Sequence, residues 1–80
     1  MSRSRPADSL RAYIAGRPRM FVRIDLHVRE ADFAAECRCG YLDGPAPRWA
    51  ASAATAEEAI DQAAAAALDY WGWCQSVGHV

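Results

Sequence analysis

Apolar and polar residues alternate strictly along the segment 22–29. One face of this segment carries charged and polar side chains, and the other carries Val22, Ile24, Leu26 and Val28. A period of two is typical of a strand with one buried face and one solvated face. The pattern therefore predicts a half-buried β-strand.

Two further alternating segments follow, one at 33–41 after a short turn at 30–32 and a weaker one at 48–53. Glycine, proline and aspartate between 42 and 47 predict a turn that separates them. The outward Glu36 and Arg38 are expected to pair with the charges of the first strand. These patterns predict three consecutive antiparallel strands.

A short helix is predicted near the N-terminus, where apolar residues within 10–14 follow helical spacing. Asp8 or Ser9 is expected to cap its start. Gly16 is expected to end it in the left-handed conformation, and Pro18 cannot continue it.

A longer helix is predicted after the third strand. Thr55 and Glu58 have the spacing of a capping box, which marks the helix start. Gly72 is the expected stop, although one more turn beyond it is possible. The inner stripe of the helix is formed by Ile60, Ala63, Ala64, Ala67, Leu68 and Trp71.

These elements predict a single small α+β domain of order α-β-β-β-α. A three-stranded antiparallel sheet would be covered on one face by two helices, which leaves the other face charged and open. We expect a basic flexible arm at 1–7, the domain at 8–76 and a tail at 77–80.

Charge is distributed unevenly along the chain. The 80 residues carry a net charge of -1, and all 9 basic residues are arginines. Residues 1–23 hold most of the arginines, whereas nearly all the acids lie in residues 24–80. With no apolar run long enough to cross a membrane and no apolar leader, we expect a cytoplasmic protein without membrane contact.

The order of elements resembles the double-stranded-RNA-binding domain between about residues 8 and 71. Segment 9–13 resembles the first helix of that family, 21–26 its first strand and 59–68 its alanine-rich second helix. The resemblance implies the same fold. The family begins its second helix with lysines that grip phosphates, whereas this chain has Glu57 and Glu58 there, and these would repel phosphate.

Two weaker resemblances concern other classes of protein. The segment 55–59, T-A-E-E-A, is similar to the start of a helix in HicB-type antitoxins, and a capping box explains it equally well. In general style, a small domain with an acidic second half resembles phage anti-CRISPR proteins.

The cysteines raise the possibility of a metal site. Cys37 and Cys39 share a strand face, and Cys74 and His79 could complete a tetrahedral zinc site. The spacing lacks the usual C-x2-C pair, and free cysteines commonly pack in cores. We therefore expect no cofactor and keep zinc as the less favoured alternative.

Two surfaces are candidates for binding. Exposed acids of the long helix and one tryptophan would contact a protein partner: Glu57, Glu58, Asp61, Asp69 and Trp73. Alternatively, the arginines of the basic front would contact phosphates: Arg3, Arg5, Arg11, Arg17, Arg19 and Arg23. The arm could instead fold back on the acidic helix.

No arrangement of nucleophile, base and pocket is evident. His27 lies near Asp25 and possibly Glu36 on the open sheet face, where a solvated histidine is the simpler interpretation. We expect a non-catalytic protein, monomeric or homodimeric, that inhibits or modulates a larger protein or nucleoprotein complex. The alternatives are a divergent nucleic-acid-binding module and a HicB-like antitoxin.

Overall fold

The computed structural model describes residues 5–76 and confirms the predicted α+β class and element order. Residues 1–4 of the predicted arm and the predicted tail at 77–80 lie outside the described residues. The elements are α1 (Pro6–Ala15), β1 (Met20–Val28), β2 (Phe33–Tyr41), β3 (Arg48–Ala53) and α2 (Ala56–Ser76).

The three strands form one antiparallel sheet in the order β1-β2-β3. Ile24 lies opposite Cys37, and Cys37 lies opposite Trp49, so the apolar faces predicted for the three strands coincide. Helix α2 packs mainly on β2 and β3, whereas α1 packs mainly on α2 and only weakly on β1. One sheet face is therefore covered by both helices.

The predicted pairing of charges between the first two strands is wrong. Arg23 lies opposite Arg38, and Asp25 lies opposite Glu36. The register from Met20 opposite Tyr41 to the 29–32 connection dictates these pairs. A shift of two residues would bring opposite charges together and keep the apolar faces aligned, but it would change the length of the hairpin loop, which fixes the register.

Both predicted ends of α1 differ from the structure. The helix begins at Pro6, with Arg5 in the N-cap position and no side-chain cap bond, whereas Asp8 lies within the first turn. Proline fits the first helical position because it has no N–H to leave unpaired. Gly16 has φ -89° and is not left-handed; its N–H donates to the carbonyl of Ile14.

The predicted start of α2 is confirmed, and of the two ends that the sequence left open the structure has the later one, beyond Gly72. The Glu58 backbone N–H donates to Thr55 Oγ1 over 3.2 Å, and the Thr55 hydroxyl donates to Glu58 Oε1 over 3.1 Å. The helix continues through Gly72 to Ser76. Glycine inside a helix costs only about 1 kcal/mol relative to alanine, so by itself it does not end one.

The core lies between α2 and the sheet and consists largely of small side chains. Cys37 and Cys39 on β2 are fully buried beneath Ala63, Ala64 and Ala67, three of the buried alanines on the inner stripe of α2. Small residues let the helix approach the strands closely, so that a short chain can still fill its interior.

A larger side chain anchors each end of this layer. Leu10 is fully buried where α1 meets the core. At the far end Trp71, predicted as a core residue, is 5% exposed, and its Nε1–H donates to the carbonyl of Cys39 over 3.1 Å. The edge of the Trp71 ring meets Tyr41 with centroids 5.7 Å apart.

Gly40 offers a test of how tightly the β2–β3 loop covers the sheet. A Cβ at Gly40 would collide with the Pro45 carbonyl oxygen and with Ala46, whereas a Cβ at Gly16 would meet nothing within 4 Å. We expect Gly40→Ala to lower the free energy of unfolding by about 1–3 kcal/mol through overpacking, as measured by urea denaturation.

Gly16→Ala is the matched control. The backbone of Gly16 is one that alanine adopts readily, so this variant should be neutral or stabilised by about 0.4–1 kcal/mol. Equal losses in the two variants would contradict the close approach at Gly40.

Candidate functional site

The sheet face opposite the helices, called here the open face, carries most of the charges of the strands. Its residues are those that alternate with the core-facing positions: Phe21, Arg23, Asp25, His27, Ala34, Glu36, Arg38, Gly40, Arg48, Ala50 and Ser52. Neither helix contributes to it, because both pack on the other face.

Three arginines cross the open face side by side. Arg23 lies opposite Arg38, and Arg38 lies opposite Arg48, one on each strand. Since neighbouring strands are about 4.8 Å apart, the three Cα atoms span about 10 Å. All three side chains are exposed. We call Arg23, Arg38 and Arg48 the arginine row.

Two carboxylates flank the arginine row and partly neutralise it. Arg23 Nε lies 3.2 Å from Asp25 Oδ2, and Arg48 Nη1 lies 3.6 Å from Glu36 Oε1. Arg38, in the middle, makes no ion pair within residues 5–76. Like charges directly opposite each other destabilise a sheet, so the row carries an unfavourable interaction that no contact around Arg38 relieves.

The far end of the open face is held by a local ion pair. Arg29 donates two bonds of 2.6 Å to the carboxylate of Asp32 and one of 3.1 Å to Ser52 Oγ. These bonds raise the pKa of Arg29 and lower the pKa of Asp32. His27 lies opposite Ala34 rather than Glu36, so the sheet does not assemble an acid–base pair across the strands.

The predicted acidic surface of α2 is largely engaged within the molecule. Arg5 Nε is 3.2 Å from both carboxylate oxygens of Asp61, and Arg5 Nη1 is 3.8 Å from Glu57 Oε2. The hydrogen bond that Arg5 donates to Asp61 is the main cause of the raised pKa of Arg5. Glu58 belongs to the capping box. The start of the basic segment thus folds back on the acidic helix, as one alternative expected.

The other members of the predicted acidic set do not join this cluster. Asp69 is exposed and lies three turns beyond Glu58, roughly 16 Å along the helix axis. The side chain of Trp73 lies outside the described residues.

The predicted phosphate-binding arginines have separate partners instead of forming one patch. Arg17 lies over the Tyr13 ring, 3.8 Å from its centroid, and donates to the Tyr13 carbonyl over 2.7 Å. Arg19 pairs with Asp43. Arg11 is exposed on α1 with no ion pair in the described part of the chain, and Arg3 lies outside it.

Arg38 and Arg48 were not among the predicted site residues. Both lie at the alternate positions that form the polar face of their strands, and the alternation in the sequence indicates this. Their alignment with Arg23 depends on the strand register, which the hydrophobic pattern alone does not specify to the residue. The signal that would have found the pair of Arg23 and Arg38 is that both are equally far along the chain from the middle of the 29–32 connection.

The two described thiols lie in the core. Cys37 and Cys39 are free and fully buried, and burial is the main cause that raises the pKa of each to about 11. The side chain of Cys74 and the whole of His79 lie outside the described residues. Among the described residues no group of three or more His, Cys, Asp or Glu side chains has the arrangement of a metal site.

The described part of the chain has neither a pocket nor a helix long and apolar enough to cross a bilayer. No protein-family model, curated protein or solved structure matches the chain. The open face and its arginine row are therefore interpreted from their own geometry.

The buried thiols imply an alkaline limit to stability. The thiols of the unfolded chain ionise near pH 9.0, whereas those of the folded chain stay protonated up to about pH 11. The unfolded state thus binds fewer protons in this window, and stability falls as pH rises through it. We expect a loss of about 2 kcal/mol or more by pH 11 in urea denaturation.

The control for this experiment replaces both thiols, Cys37→Ala with Cys39→Ala, in a Cys74→Ser background. That variant starts less stable because of the small cavities, but it should lack the thiol-dependent part of the decline. Parallel declines in the two proteins would contradict the assignment.

The unrelieved charge of Arg38 gives a second measurable effect. We expect Arg38→Glu, which places a carboxylate between Arg23 and Arg48, to raise the free energy of unfolding by about 0.2–1 kcal/mol. The gain should shrink at high salt because exposed charges are screened. Arg11→Glu, with the same charge change on α1, should show no comparable gain; a loss with Arg38→Glu would refute the repulsion.

Proposed function

We propose that this protein is a non-catalytic binding protein that inhibits or modulates a larger protein complex by contact through its open face. The observation that carries the proposal is the arginine row. Three exposed arginines in register, with no internal relief for the central one, lower the stability of the free protein. Such an arrangement is useful when a partner supplies the missing carboxylates.

The size and shape of the open face suit a protein partner. It is a surface of three strands on which arginines, enriched at binding hot spots, are exposed. The partner we infer presents a mixed-charge patch in which acids lie over the arginine row and a base lies over Asp25 and Glu36. Complementary charges of this kind contribute to specificity and speed association.

The same mixture of charges argues against nucleic acid as the ligand. Asp25 and Glu36 lie beside the arginine row and would repel a phosphate backbone that followed it. Among the described arginines of the basic front, Arg5, Arg17 and Arg19 are engaged by other residues. We therefore place direct nucleic-acid binding second.

The acidic start of α2 is a weaker candidate for the interface. Asp61 and Glu57 face Arg5, and Glu58 stabilises the helix start. A partner would have to displace these contacts before using the carboxylates. The open face requires no such displacement at Arg38.

We propose that this protein is an inhibitor of the kind made by phages and mobile elements, exemplified by anti-CRISPR proteins. The support is the form of the protein, a small α+β domain whose charged sheet face is open. A HicB-like antitoxin would use a similar domain, and the neighbouring genes distinguish the two, since an antitoxin requires a toxin gene beside it.

The test compares Arg38→Glu with Arg11→Glu in affinity capture from host lysate after nuclease treatment. We expect the unaltered protein and Arg11→Glu to retain the same protein partner, and Arg38→Glu to lose it with at least tenfold weaker affinity. The two variants have the same net charge, so a general charge effect would appear in both.

A third variant tests the helix surface. Partner binding that survives Arg38→Glu but is lost in Glu57→Lys would move the interface to α2. Loss of every partner on nuclease treatment, together with a steeply salt-dependent mobility shift on duplex RNA or DNA, would favour the nucleic-acid alternative instead.

A further inference from the structure

The outer edge of β1 is long, and within residues 5–76 the one backbone bond recorded on it is at its start, where the Met20 N–H donates to the Arg17 carbonyl over 3.0 Å. β1 is nine residues long, it pairs with β2 on one side only, and that pairing runs without a bulge from Met20 to Val28. No proline interrupts it. A regular edge strand of this length exposes N–H and C=O groups that can pair with another strand.

The apolar face of β1 loses its helix cover along the strand. Met20 is 5% exposed, Leu26 is 40% exposed and Val28 is 75% exposed, although all three lie on the helix-covered side of the sheet. The start of β1 is thus buried, and its end presents large apolar side chains to solvent beside the free edge.

We propose that a second copy of this chain pairs with β1 in antiparallel orientation about a two-fold axis at Ile24. The two sheets then form one six-stranded sheet of order β3-β2-β1-β1-β2-β3. Such an isologous contact uses the same surface on both copies. The proposal uses the β1 edge; it shares Arg23 and Asp25 with the open face but does not use Arg38, the residue that tests the partner proposed there.

Charge complementarity selects this register. With Ile24 on the axis, Arg23 of each copy lies opposite Asp25 of the other on the open face. Within one copy these residues lie opposite Arg38 and Glu36, which have the same charges as themselves. Pairing with the second copy therefore supplies each of the two with an opposite charge across the strands.

The neighbouring registers are unfavourable. A shift of one residue would place apolar side chains opposite charged ones and would put the helices of the two copies on different faces. An axis at Arg23 would place arginine opposite arginine, and an axis at Asp25 would place aspartate opposite aspartate. Ile24 is also the middle residue of β1, so its register aligns the two strands along their full length.

The uneven helix cover of β1 fits the same arrangement. Antiparallel pairing about Ile24 places Val28 of one copy opposite Met20 of the other, and Leu26 opposite Val22. The exposed end of each strand thus meets the end that is buried in the other copy. The dimer would therefore cover the apolar side chains that one chain leaves in solvent.

The opposite edge of the sheet lacks these features. β3 has six residues, and none of the large exposed hydrophobic side chains of the described chain lies on it. Its inner residues, such as Trp49, lie beneath α2, where the Trp49 and Tyr70 rings are 5.5 Å apart. The β1 edge is therefore the one suited to self-association.

The test is a charge exchange followed by sedimentation equilibrium across a micromolar concentration series. We expect the unaltered protein to reach twice its 8.8 kDa mass. Arg23→Asp would place aspartate opposite aspartate in the dimer, and Asp25→Arg would place arginine opposite arginine. For each variant alone, the dissociation constant of the dimer should be about tenfold higher than for the unaltered protein. An equimolar mixture should recover the dimer, because every pair is then opposite in charge.

Arg48→Asp on the far strand is the control and should leave the dimer unchanged. Circular dichroism of each variant checks that it folds. Within one copy, Arg23→Asp places a carboxylate opposite Arg38 and Asp25→Arg places a guanidinium opposite Glu36, so neither change should weaken the monomer. A protein that sediments as a monomer throughout would overturn the proposal. So would single variants that dimerise as tightly as the unaltered protein, or a mixture of folded variants that does not recover.

Discussion

The contact between the alanine stripe of α2 and the middle of the sheet is the constraint on which the rest of the structure depends. Ala63, Ala64 and Ala67 lie over the buried Cys37 and Cys39 of β2 with no exposed surface on either side. Because these side chains are small, the helix approaches the strands closely but covers little width. It packs mainly on β2 and β3 and only weakly on β1.

The incomplete cover of β1 follows from this narrow layer. α1 is short and packs mainly on α2, so the end of β1 keeps Leu26 and Val28 in solvent. A chain of this size buries only about 60% of the surface that it exposes when unfolded. The exposed Leu26 and Val28 are therefore a substantial share of the apolar surface that the folded chain leaves in solvent. The free edge and the uncovered side chains occur at the same place.

The charges of the chain are sorted by the same architecture. Arg5 neutralises the start of α2, so much of the contrast between a basic front and an acidic remainder is resolved inside the molecule. The strands then carry an arginine row that the fold does not neutralise at Arg38. The surfaces with unrelieved interactions are the open face and the β1 edge, and the proposed contacts use these two.

Much of the fold follows from local patterns in the sequence, because the side-chain periods of strands and helices and the capping box at Thr55 act over a few residues. These determined the three strands, both helices, the single α+β domain and the core position of Trp71. The start of α1 at Pro6 and the passage of α2 through Gly72 depended on weaker local preferences. The arginine row was decided only by the tertiary structure, since it requires the exact register of three strands. Arg5 on Asp61 was also decided there, because the two residues are 56 positions apart and meet only when α1 packs on α2.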